Sequence, residues 1–108
     1  MASTLPAGEL FVLDDLVTAT PHGIASRVLA RTAAGNITLF AFDAGEELSE
    51  HTAPFDALVL TLSGELVLTI GGRALTAGPH TVVLMPANVA HAIRAIEPSR
   101  MLLVMLRE

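Results

Sequence analysis

The chain has 108 residues with no cysteine, and its 11 acidic and six basic side chains, all arginine, give a formal charge of −5. At 52% apolar residues it is too hydrophobic for a disordered segment and has the length of a single domain over 1–108. These numbers exclude a basic nucleic-acid surface, a disulfide framework, a thiolate metal site and a cysteine nucleophile.

The first residues, Met1–Leu10, lack a basic stretch followed by an apolar core, so no signal peptide is expected and residues 1 to about 8 read as a loose segment. Leu10–Thr18 could carry a helical turn, with Asp14 and Asp15 as its cap residues. From there on, glycine and proline cut the chain into short runs of strand length. These are Arg27–Arg31, Asn36–Phe42, Ala57–Leu62, Glu65–Ile70, Thr81–Met85, Ala92–Ile96 and Met101–Leu106. Ser63-Gly64-Glu65 reads as a tight reversal, and Gly71-Gly72 can supply the positive φ angles of a two-residue hairpin. Many short strands at regular spacing predict an all-β sandwich or barrel. The last run, Met101–Leu106, is also the longest uninterrupted aliphatic stretch, far below the roughly 20 residues of a spanning helix. A cytoplasmic bacterial protein is therefore the default expectation, and the acidic balance argues against anionic membranes.

Several strands are apolar on both faces. In Ala57–Leu62 both alternating sets, Ala57, Val59, Thr61 and Leu58, Leu60, Leu62, ask for burial. A small barrel has one interior, so the second face predicts a homodimer or, alternatively, cover by the N-terminal residues.

Residues 45–64 read GEELSEHTAPFDALVLTLSG and residues 80–95 read HTVVLMPANVAHAIRA. These resemble the two motifs of the cupin family, G(X)5HXH(X)3-4E(X)6G and G(X)5PXG(X)2H(X)3N. Gly45, His51 and Gly64 match the first in register; Pro86 and His91 match the second. The resemblance covers residues 40 to 106 and implies a small jelly-roll β-barrel, often holding a metal on three histidines and a glutamate that point inward. The departures fall on those ligands. Ala53 stands at the second histidine and Ala57 at the glutamate; His80, Asn88 and Ala95 replace the second motif's two glycines and its asparagine. Asn88 is a mild change, because asparagine tolerates the left-handed conformation.

Two histidines alone would hold Zn, Ni, Fe or Cu weakly, because a divalent site usually takes three or more protein ligands. Glu50 or Asp56 could supply a third. If the chain runs extended from His51, then Ala53, Phe55 and Ala57 share its face and Asp56 does not. Glu46 and Glu47 read as solvated, His80 and His22 as turn residues. The expected pocket is lined by His51, Ala53, Phe55, Ala57, Val59, Met85, His91, Ile93 and Met101, with plain core packing the competing reading for each methionine. Such a pocket would take a small apolar or weakly acidic molecule. The alternative is a metal-dependent cupin enzyme, a dioxygenase or isomerase, using His51 and His91 with a nearby carboxylate. A metal-free acid–base enzyme on the same histidines is a third reading. No serine nucleophile elbow and no phosphate loop is present.

Overall fold

A computed structural model describes residues 4–107. After a single 3-10 turn at Leu13–Asp15 come β1 (Ile24–Thr32), β2 (Gly35–Phe42), β3 (Glu47–His51), β4 (Asp56–Ser63), β5 (Leu66–Ile70), β6 (Arg73–Ala77), β7 (Thr81–Met85), β8 (His91–Ala95) and β9 (Ser99–Leu106). They form two antiparallel sheets, ordered β1-β2-β9-β4-β7 and β3-β8-β5-β6. The all-β expectation holds, and the two sheets face each other across one core.

Every run expected to be a strand is one. Two further strands, β3 and β6, escape the pattern: Glu47 and Glu50 made the first look like a solvated approach, and β6 contributes only Leu75 and Ala77 as partly or fully buried residues. The helical turn is reduced to three residues. Its N-cap position is Val12, with no side-chain cap, and Asp14 and Asp15 lie inside the turn rather than capping it. Leu5 donates its N–H to the Leu29 carbonyl, so the chain is held from there; residues 1–3 lie outside the described residues.

Gly71 and Gly72 both take positive φ and close the β5–β6 hairpin, with Ile70 opposite Arg73. The reversal at Gly64 is not a hairpin, because β4 and β5 belong to different sheets. Here φ is +80°, and a Cβ would run into the Ser99 hydroxyl and the Pro98 carbonyl. That hydroxyl accepts from the Glu65 N–H at 3.0 Å, which fixes the crossing.

The inward faces bury Phe42, Val59, Leu66, Leu68, Ile93 and Met101, each 2% exposed or less. Burial of such side chains is worth roughly 1.5–3 kcal/mol apiece. The outer face of the five-stranded sheet is also apolar, and the N-terminal segment covers part of it. Val17, Leu13 and Leu16 pack on Leu39, Ala41 and Leu102. Arg100 Nη2 donates to the Val17 carbonyl at 3.1 Å, and Arg27 Nη1 reaches the Leu16 carbonyl at 3.4 Å. The alternative weighed from sequence is therefore realised on the β1–β2–β9 side. Val82 and Leu84 on β7 stay 61% and 50% exposed.

Candidate functional site

β3 and β8 are neighbours, and register alone does not bring their histidines together. Leu48 lies opposite Ile93 and faces inward. Between Leu48 and His51 the register shifts, so three steps on β3 match two on β8, from Ile93 to His91. This β-bulge sets Ser49 and Glu50 together against Ala92, on the outward side, and returns His51 to the inward-facing side of the strand, at its exposed end. Were the same residues paired regularly, Glu50, not His51, would face in.

The consequence is a direct contact. His51 Nε2 and His91 Nε2 are 3.1 Å apart, and the rings meet edge to face with centroids 4.4 Å apart. Each Nδ1 has a carbonyl partner: Ser49 O at 2.8 Å for His51 and Val89 O at 3.2 Å for His91. A carbonyl only accepts, so these bonds assign the proton to Nδ1 on both rings. Two bare Nε2 lone pairs would then face each other and repel, so the contact calls for one proton between them, or for an electrophile. His51 is exposed and His91 only 7% exposed. Burial holds the His91 imidazole below the usual histidine pKa; the Val89 carbonyl pulls it up, and the charge of His51 pushes it down again.

Of the other expected pocket residues, Ala57 and Met85 face inward at the same end of the sandwich, directly opposite each other on β4 and β7. Val59, Ile93 and Met101 are 1%, 2% and 0% exposed in the core, so core packing accounts for them. The parity argument for Ala53 and Phe55 fails. β3 ends at His51 and β4 starts in the other sheet, so residues 52–55 are a crossing rather than one extended strand. Ala53 uses its carbonyl to accept from the Asn88 N–H, and Phe55 lies under the Arg107 guanidinium, 4.7 Å from ring centre to Cζ. Pro54, Phe55, Asp56, Ala87 and Arg107 line an open cleft of about 560 Å³ beside this crossing. None of the five clefts described has His51 or His91 in its walls. The sequence reading missed Asn36 and Met105. Asn36 lies opposite Met105 and Met105 opposite Ala57, which places all three on one inner face. The alternation of Asn36, Thr38, Phe40 and Phe42 along β2 is the signal that could have found the first.

A metal fits this donor set poorly. Two nitrogens on one ion, at bonds of about 2.0–2.1 Å, stand about 3.0–3.4 Å apart, so the spacing would admit one. The count does not: among the described residues no three His, Cys, Asp or Glu side chains gather into a metal-binding group. Neither expected third ligand joins. Glu50 is turned out by the bulge, and Asp56 Oδ1 accepts from the Ala87 N–H at 2.8 Å.

The cupin domain model matches residues 38–106. The chain belongs to the cupin family. Among solved structures, this cupin resembles a conserved protein of unknown function from Streptococcus pyogenes, with 31% identity and a TM-score of 0.89 over 96% of this chain and 91% of that one. It is equally close to a cupin superfamily protein from Desulfitobacterium hafniense, with 33% identity and a TM-score of 0.88 over 96% and 95% of the two chains. A predicted oxalate decarboxylase from Thermotoga maritima shares the fold at 14% identity and a TM-score of 0.75, over 79% and 81% of the chains. Comparison with curated proteins gives no match. The motif departures keep the backbone of the family: His80 and Asn88, at the positions of the two motif glycines, hold φ of +67° and +64°.

Proposed function

We propose that this cupin binds a small organic molecule at the His51–His91 pair, without a tightly held metal. The observation that carries the reading is the direct Nε2–Nε2 contact at 3.1 Å on two rings whose Nδ1 atoms are already engaged. The pair can donate to or accept from a ligand, and alanines stand at positions 53 and 57, where the family motif has a histidine and a glutamate. His51 is reachable from solvent, and Met85 and Ala57 supply an apolar floor. The metal-dependent enzyme gains no support from the carboxylates, which point elsewhere.

The test uses tag-free protein. Elemental analysis is expected to find far less than one metal per chain, and ring ¹⁵N signals of both histidines are expected to move together on addition of phenol or benzoic acid. Near-stoichiometric metal lost in His51→Ala and His91→Ala would overturn the reading, and so would rings that respond to no probe.

The working form is a homodimer in the cytoplasm. Leu58, Leu60, Val82, Leu84 and Val104 remain as an apolar strip on the outer face beyond the N-terminal cover. Edge strands are normally blunted. β1 and β3 carry bulges and charges, and β6 begins with Arg73; β7, with the sequence TVVLM, has neither charge nor bulge. An uncharged edge is the kind that can face its own copy without like-charge repulsion.

A further inference from the structure

We infer that the ligand of the histidine pair is an anion, a small carboxylate with a compact apolar body, held at the open end of the sandwich by Arg31 and Asn36 together with the imidazoles. The inference rests on the binding reading above and adds the ligand's charge and two residues that receive it.

The register builds this end one row at a time. On the five-stranded sheet Arg31 lies opposite Asn36, Asn36 opposite Met105, Met105 opposite Ala57, and Ala57 opposite Met85. Directly opposed residues share a face, and Ala57 and Met85 are buried in the core, so this row belongs to the inner face. On the four-stranded sheet the matching row is His51, His91, Ile70 and Arg73. The cleft shared by Leu75–Ala77 and Thr81–Val83 sets β6 beside β7, which turns the β3 end of one sheet toward the β1 end of the other. The row of His51 and His91 therefore lies at the same end of the sandwich as the row of Arg31 and Asn36.

Charge is segregated at this end. Every polar head in the two inner rows is a hydrogen-bond donor or can become one: Arg31, Asn36, His51, His91, Arg73. Two of the acids nearby are turned away: Glu47 lies opposite Arg94 on the outer side, and Glu50 is displaced outward by the bulge. Asp56, next in register to the inward Ala57, accepts from the Ala87 N–H and lines the neighbouring cleft with Arg107. Arg107 adds a further cation over Phe55. In a chain of net charge −5, three of the six arginines sit at one end of the sandwich. The Asn36 amide accepts from the Thr38 hydroxyl at 3.3 Å through Oδ1, while among the described residues its Nδ2 reaches only the Met105 sulfur at 3.9 Å, a weak acceptor. Met105, Met85, Ile70 and Ala57 between the donors are apolar and suit a short hydrocarbon body. An arginine with an amide and an imidazole is a donor set for a carboxylate, and it leaves a neutral isostere with nothing to neutralise the guanidinium.

The test compares benzoate with benzamide, equal in shape and different in charge, by calorimetry on metal-free protein, with the histidine ring signals as a site marker. Benzoate is expected to bind at least about tenfold more tightly than benzamide, and to weaken about tenfold in Arg31→Gln and in Asn36→Leu. Arg31 is exposed, so that variant folds as the parent does. Equal binding of the two probes with the rings responding would overturn the anion inference and leave the binding reading standing. Unchanged benzoate affinity in both variants would overturn the assignment of the donors. Rings that respond to neither probe would overturn the binding reading, and this inference with it.

Discussion

His51 and His91 touch nitrogen to nitrogen across 40 residues of sequence, and a one-residue bulge in β3 is what makes them touch. The bulge also removes Glu50 from the interior. Deleting Glu50 would remove the extra residue and leave Leu48 and His51 two steps apart, matching Ile93 and His91 on β8, so β3 can pair regularly with His51 still facing His91. The expected result is a retained coupled response of the two histidine rings, with the β-sheet circular dichroism unchanged. Loss of the coupling in the deletion variant would show that inward parity at His51 is not enough to set the pair.

The fold was legible because β-branched and aliphatic runs between glycines and prolines define seven of the nine strands. The two that were not, Glu47–His51 and Arg73–Ala77, are edge strands with few buried side chains. His51 and His91 were legible from their spacing in the motifs. The bulge was not, because parity along a sequence assumes one residue per step. Phe55 and Ala53 were misplaced for a related reason: residues 52–55 change sheets, which no alternation pattern reveals. The second apolar face was read correctly as needing cover, but two covers were open. The arginine-to-carbonyl bonds of Arg27 and Arg100 decide for the N-terminal segment on one half of it.

His80 carries left-handed backbone strain, with φ of +67° and no glycine to absorb it. A non-glycine residue there costs roughly 1–2 kcal/mol, partly offset by the extra freedom glycine has in the unfolded chain. His80→Gly is expected to stabilise the protein by about 0.5–1 kcal/mol, read as a rise in Tm of a few degrees. Asn88→Gly should gain less, because asparagine tolerates this region. A fall in Tm for His80→Gly would mean that the exposed imidazole makes a compensating contact.

Gly64→Ala should be severe. It combines positive φ with a Cβ driven against Ser99 and Pro98, at the crossing that sends the chain from one sheet to the other. A loss of about 2–4 kcal/mol in chemical denaturation is expected. Ser99→Ala, which removes the hydroxyl from the Glu65 N–H, should cost about 1 kcal/mol. Equal costs for the two would contradict a steric origin.

Asp43 accepts from the His22 and Ala44 backbone N–H groups, and these bonds hold its carboxyl below the ordinary aspartate pKa. The folded-state pKa is depressed, so its contribution is present above the unfolded value and is lost as pH falls through the folded one. Acid unfolding of the parent should therefore steepen below about pH 4, and Asp43→Asn should flatten that slope. A variant with an unchanged acid limb would exclude Asp43 as a contributor.

The proposed dimer is checked by replacing the exposed apolar pair on β7. The parent should sediment as a dimer at micromolar concentration, and Val82→Lys with Leu84→Lys as a monomer with an unchanged circular dichroism spectrum. Both side chains are half-exposed or more in the single chain, so neither change removes core packing. A parent that sediments as a monomer, or a doubly substituted protein that remains a dimer, would contradict the assignment.

A long-range ¹H–¹⁵N spectrum of the histidine rings in metal-free protein decides whether the pair exists. Nδ1 of both His51 and His91 is expected to carry a proton, and the two Nε2 signals to share one hydrogen bond. Two rings that titrate independently, with Nε2 protonated and Nδ1 bare, would contradict it.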